Sequence, residues 1–234
     1  MINVNAAIQN LKPIEVKRGP DTAAALARTW QQQAGSDIPA LSGAESVMRQ
    51  FAEHWRKVGK RMENPDPTLT PAANFLEVRR RAMATHKAVA DNAKRTWSTL
   101  MDKGADLDGQ ARNATGQGHS WPNEQEIRSV WREMSAEKRG DIFRAAVERG
   151  DQELVGSILR GNSLTLGTTS ERLATYRATA EQKMAADVIQ ARDACLAAAA
   201  EIEQLTAESE RLTALAAPNH IYEQIRAEHE ASQV

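Results

Sequence analysis

Apolar side chains recur along most of this chain at alternating steps of three and four, the spacing that gathers them on one face of an α-helix. Val47, Met48, Phe51, Trp55 and Val58 form one such face, behind a capping box at Ser42 and Glu45 that opens the helix. That helix ends near Glu63, because Asn64-Pro65-Asp66-Pro67 cannot continue it. An earlier helix is predicted over about 22–34, capped by Asp21 and closed by Gly35. Thr70-Pro71 starts a third, with proline at its first position, and it runs to about Lys103 and closes at Gly104. No segment alternates apolar and polar positions with β-branched residues, so no strand is predicted.

Residues 105–120 hold few apolar side chains and follow Gly104 with Gly109, Gly116 and Gly118, which predicts a flexible loop between two halves. Short helices follow over 121–167. One carries Ile127, Val130, Trp131 and Met134 behind a capping box at Asn123 and Glu126. A second starts at Ser135 and closes at Gly150, and a third is capped by Asp151 and closes at Gly161. A long helix is predicted over 168–217, opened by Thr168 with Glu171, and a short one over 218–234. The long helix carries the most regular signal in the chain. Met184, Val188, Ala191, Cys195, Ala198, Ile202, Leu205, Ser209, Leu212 and Ala216 keep steps of four and three without a break, a heptad seam that predicts pairing with another helix, here with a second copy. The first twenty residues lack helical periodicity. Ile2, Val4, Ile8, Leu11 and Val16 are scattered among Pro13 and Gly19-Pro20, which predicts an extended arm whose contacts are those five side chains. The fold class is therefore all-α: a helical bundle with a long heptad-patterned C-terminal helix and an extended N-terminal arm.

Composition sharpens this picture. Aromatics are 4% of the chain, and five of them are tryptophans. A core that relies on alanine favours closely approached helices. Residues 1–117 hold 17 Lys+Arg against 12 Asp+Glu, a net of +5, and residues 118–234 hold 13 against 19, a net of −6. The basic half is suited to meet nucleic acid or the acidic half of a neighbouring copy. A single cysteine, Cys195, allows no internal disulfide and fits a reducing interior or a virus particle assembled in one. No basic-then-apolar leader opens the chain, and no apolar stretch is long enough to span a bilayer.

Candidate chemistry is sparse. The five histidines show no metal-ligand spacing. Asp106-Leu107-Asp108-Gly109 places its glycine too early for a calcium loop, and Thr115 stands where the closing glutamate belongs. Cys195 on an alanine-rich seam has no basic partner, and Glu124/Glu126 or Glu201/Glu203 point to different helix faces. No enzyme, cofactor or metal is expected on these grounds. The densest basic stretch supplies Arg79, Arg80, Arg81, Lys87, Lys94 and Arg95 as candidate phosphate contacts, without aromatics interleaved for base stacking.

Residues 143–155, Phe-Arg-Ala-Ala-Val-Glu-Arg-Gly-Asp-Gln-Glu-Leu-Val, look like the hairpin of an ankyrin repeat, but no second copy or 33-residue period follows. Continued through Ile158-Leu159 and Asn162-Ser163-Leu164-Thr165-Leu166-Gly167, the stretch resembles small helical proteins encoded beside bacteriophage head genes. There, a Gly-Asp-x-Glu-Leu turn precedes an Ile-Leu helix and a Leu-Ser-Gly-like loop, from which Thr165-Leu166-Gly167 departs. The resemblance implies a virion-associated or assembly role and transfers no functional residues. The expectation is a non-enzymatic structural protein of a phage particle (head, connector or tail associated), assembled in the host cytoplasm, with homo-oligomer and virion-protein contacts. The alternative is a cellular helical adaptor or nucleic-acid-associated protein using residues 79–95.

Overall fold

A computed structural model describes residues 4–17 and 19–231. The protein is all-α, with no strand among the described residues. Its helices are α1 (Val4–Gln9), α2 (Pro20–Ala34), α3 (Pro39–Glu63), α4 (Pro71–Ala114), α5 (Glu124–Glu133), α6 (Ala136–Arg149), α7 (Gln152–Leu159), α8 (Ser163–Leu166), α9 (Ser170–Met184), α10 (Ala186–Ala216) and α11 (Asn219–Ala231). No described helix is long and apolar enough to cross a membrane.

The chain divides into two compact units: 1–30, 38–100 and 197–234 make the first, and 31–37 with 101–196 make the second. In the first, α3 contributes Leu41, Phe51 and Trp55, α4 contributes Phe75, Ala82 and Val89, and α10 contributes Ile202, Leu205 and Leu212, all buried. Most of these fall on the heptad or near-heptad spacing read from the sequence, and the small residues Ala52, Ala93 and Ala198 between them are equally buried. The α3–α4 turn is held by Asn74. Its Oδ1 accepts from Asp66 N and Arg61 Nη2 (2.9 Å each), and its Nδ2 donates to Asp66 O at 2.9 Å. Thr70 Oγ1 accepts from Ala73 N as the cap of α4.

In the second unit, α5 to α9 enclose Trp131, Phe143, Val155, Ile158, Leu166 and Tyr176. Trp131 meets Phe143 and Tyr176 edge-on, at centroid distances of 6.4 and 5.8 Å. Gly150 takes the left-handed conformation after α6 (φ 67°), and Asp151 caps α7 by accepting from Leu154 N.

Several boundaries differ from the sequence reading. The stretch 105–120 is not a flexible loop through most of its length, because α4 continues to Ala114. Leu107 and Ala111 extend its buried face, Leu196 packs against Gly104, and Lys103–Asp106 and Asp108–Arg112 pairs line its surface. The predicted boundary between halves therefore falls inside a helix. The long helix over 168–217 is two helices, broken at Ala185 (φ −138°), where the heptad seam begins. Upstream of the break, α9 faces a different core through Tyr176 and Ala180. Helix α3 starts at Pro39 rather than at the Ser42–Glu45 box, because Leu41 and Ala44 are fully buried and proline suits the first turn. Helix α2 likewise opens at Pro20 instead of behind Asp21. The arm is not extended throughout: α1 is helical and packs against α11.

Candidate interaction surface

Cys195 is fully buried, and burial pushes its thiol above the ordinary range, which suppresses the thiolate. No group of three or more His, Cys, Asp or Glu among the described residues is placed to hold a metal ion. Asp106 lies on helix α4 and pairs with Lys103 and Gln110, and the Lys103 contact holds its carboxyl below the usual range. In the second unit, arginines serve backbone carbonyls. Arg139 donates to the carbonyls of Trp131 (2.8 Å), Arg132 (2.6 Å) and Gly167 (2.5 Å), Arg132 to Thr165 O (2.9 Å), and Arg128 to Ser157 O (2.9 Å). Arg128 and Arg160 also share the Glu124 carboxylate.

The heptad seam is occupied within the chain. Ala191 and Cys195 are buried in the second unit, with Met184 and Val188 partly buried, while Ala198, Ile202, Leu205 and Leu212 are buried in the first. Trp55 Nε1 donates to Ser209 Oγ at 3.2 Å, and His86 Nδ1 lies 3.2 Å from the same hydroxyl, so α3 and α4 are the partner helices in the first unit. The sequence reading set a second copy against this seam, whereas in the first unit α3 and α4 of the same chain meet it at Ser209. Of the arm contacts, Ile2 lies outside the described residues. Val4 is buried, and Ile8, Leu11 and Val16 are partly buried on their own unit. Ile8 and Leu11 line a groove of about 540 Å³ with Phe75 and Val78.

The basic stretch separates into two classes. Arg79 donates to Ala217 O (3.1 Å) and lies over the Tyr222 ring (4.2 Å), Arg81 pairs with Glu77, and Arg95 bonds Asn92 Oδ1 (2.6 Å). Arg80, Lys87 and Lys94 are exposed and make no such contact among the described residues. These three recur every seventh residue, about 10.5 Å apart along the helix. Between them stand Leu76, Met83 and Trp97, exposed by 39%, 52% and 40%, and partly buried Ala90. One outer face of α4 thus alternates apolar and cationic side chains over 76–97, one position round from the buried face formed by Phe75, Ala82 and Val89. The sequence reading missed this face. Its signal was present in the heptad spacing of Leu76, Met83, Ala90 and Trp97.

Leu76, Met83 and Trp97 thus share one helix face with the three cations, which makes it the candidate surface of the first unit. Arg80, Lys87 and Lys94 have no ion-pair partner among the described residues. No family model matches the chain, and no curated protein or solved structure matches it either.

Proposed function

We propose that this chain is a non-enzymatic assembly protein and a structural component of a bacteriophage particle, working through helix packing. The observation that carries the reading is the outer face of α4, whose apolar side chains are exposed and whose cations have no ion-pair partner among the described residues. The resemblance over 143–167 supports the particle context. The turn that bears it is built by Gly150 and Asp151, and the closing loop by left-handed Gly167. Mass spectrometry of particles purified from cells carrying the encoding genome tests this. The chain is expected in particles or assembly intermediates at a fixed copy number, and its absence from both overturns the reading.

A nucleic-acid role draws on the same three free cations. It requires binding that weakens with salt at a log–log slope of about −2.7, three phosphates at 0.9 each. Three engaged arginines and a face interrupted by apolar side chains favour a protein partner, so a filter-binding titration is expected to show no tight binding.

A further inference from the structure

The face of α4 needs a partner that presents acidic groups at the same repeat, beside side chains small enough to admit Leu76, Met83 and Trp97. The first unit carries such a surface. On α10, opposite the buried residues Ile202, Leu205 and Leu212, the exposed side chains include Ala200, Glu203, Ala207, Glu210 and Ala214, with Arg211 beside them paired to Glu208 at 3.8 Å. Glu203 and Glu210 are seven residues apart, like the cations of α4, and make no ion pair or hydrogen bond among the described residues. The alanines between them leave room for bulky apolar side chains from outside. The two faces are therefore opposite in charge sign, equal in the ~10.5 Å repeat of charges, and complementary in the pairing of large with small.

We propose that this protein self-associates by docking the 76–97 face of α4 in one copy onto the 200–214 face of α10 in a second copy, with Lys87 and Lys94 set against Glu203 and Glu210. A twofold pair makes the contact twice, since each copy carries both faces. The contact runs the length of the shorter face, 200–214, about 22 Å by 10 Å, and covers ~220 Å² per partner. Two strips cover ~440 Å², about half of the ~800 Å² per partner of a standard stable interface, so the pair is weak and reversible. The inference rests on the reading of the chain as an assembly protein, yet the two fail separately: a chain absent from particles can still pair, and a particle component can be monomeric when free.

The test is charge reversal with complementation, read by sedimentation of the full chain at tens of micromolar. Wild type is expected to pair. Lys87→Glu with Lys94→Glu, and separately Glu203→Lys with Glu210→Lys, should each weaken pairing about 100-fold through repeated like-charge contacts. Mixing the two double variants should restore association, because each reversed face then meets its complement. All four positions are exposed, so circular dichroism should be unchanged. Replacement of Met83 and Trp97 by Ser should abolish pairing without altering charge. A monomeric wild type, double variants that pair as before, or a mixture that stays monomeric overturns the proposal. So does wild-type nucleic-acid binding that the Lys87/Lys94 variant loses while self-association is unchanged.

Discussion

The first unit draws on helices of 25, 44 and 31 residues, α3, α4 and α10, whereas the second packs α5 to α9, helices of 4 to 15 residues. A long helix satisfies its own backbone over most of its length, so its side chains are free to pack. Every helix end leaves up to four unpaired backbone groups, and a bundle of short helices multiplies such ends. The chain meets these demands differently. At the seam of the first unit stands one buried hydroxyl, Ser209, between Trp55 and His86. In the second unit, arginines 128, 132 and 139 reach the carbonyls at helix ends and in the following loops. Many of the second unit's positive charges are therefore structural, and the free cations of α4 stand out against them.

The largest expected effect is on the second unit. A Cβ at Gly156 would run into the backbone carbonyl of Gly116, which itself sits at φ 74° against Gln152. Gly156→Ala is expected to cost about 3 kcal/mol, the upper end of overpacking, as neither backbone segment can yield cheaply. A urea melt followed by near-ultraviolet signals from Trp121 and Trp131 checks it, and an unchanged midpoint would show that the two segments are not tightly apposed. Arg139→Lys comes next, at about 2 kcal/mol. An ammonium cannot reach three carbonyls in the plane of a guanidinium fork. If lysine stabilises as well as arginine, charge and not geometry ties these ends. The smallest effect belongs to the first unit. Ser209→Ala leaves the buried Trp55 Nε1 without its acceptor, for about 1.5 kcal/mol. Differential scanning calorimetry measures this, and a stabilised Ser209→Ala would mean that the hydroxyl burdens the seam.

Helices and their faces were legible in the sequence wherever a seam ran long. The apolar positions of α3 lie where the periodicity puts them, and within α10 Ala191, Cys195, Ala198, Ile202, Leu205 and Leu212 are buried, although the predicted long helix breaks at Ala185. Ends were less legible, because capping competes with burial. Ser42 and Glu45 form a good box, but Leu41 and Ala44 are fully buried, so the helix begins earlier. Gly104 reads as a stop, but its bare Cα gives Leu196 a place to pack, and the helix passes through. The candidate surface was half legible. Six basic residues were visible as a cluster, yet separating Arg79, Arg81 and Arg95 from Arg80, Lys87 and Lys94 required knowing that Ala217, Glu77 and Asn92 lie within reach. Periodicity shows that a face is apolar and leaves open which molecule covers it.

The pairing of α1 with α11 brings residues 4–9 onto residues 219–231, and residues 101–196 lie in sequence between the parts of the first unit. Contacts so distant along the chain form late, since closing a long loop costs entropy before packing rewards it. During synthesis the second unit holds all of its long segment once residue 196 has emerged, and can collapse on the ribosome. The first cannot: Trp55 waits uncovered until α10 arrives with Ser209. Translation order therefore sets a window in which α3 and α4 are open to chaperones or to aggregation, and that window closes when α10 packs.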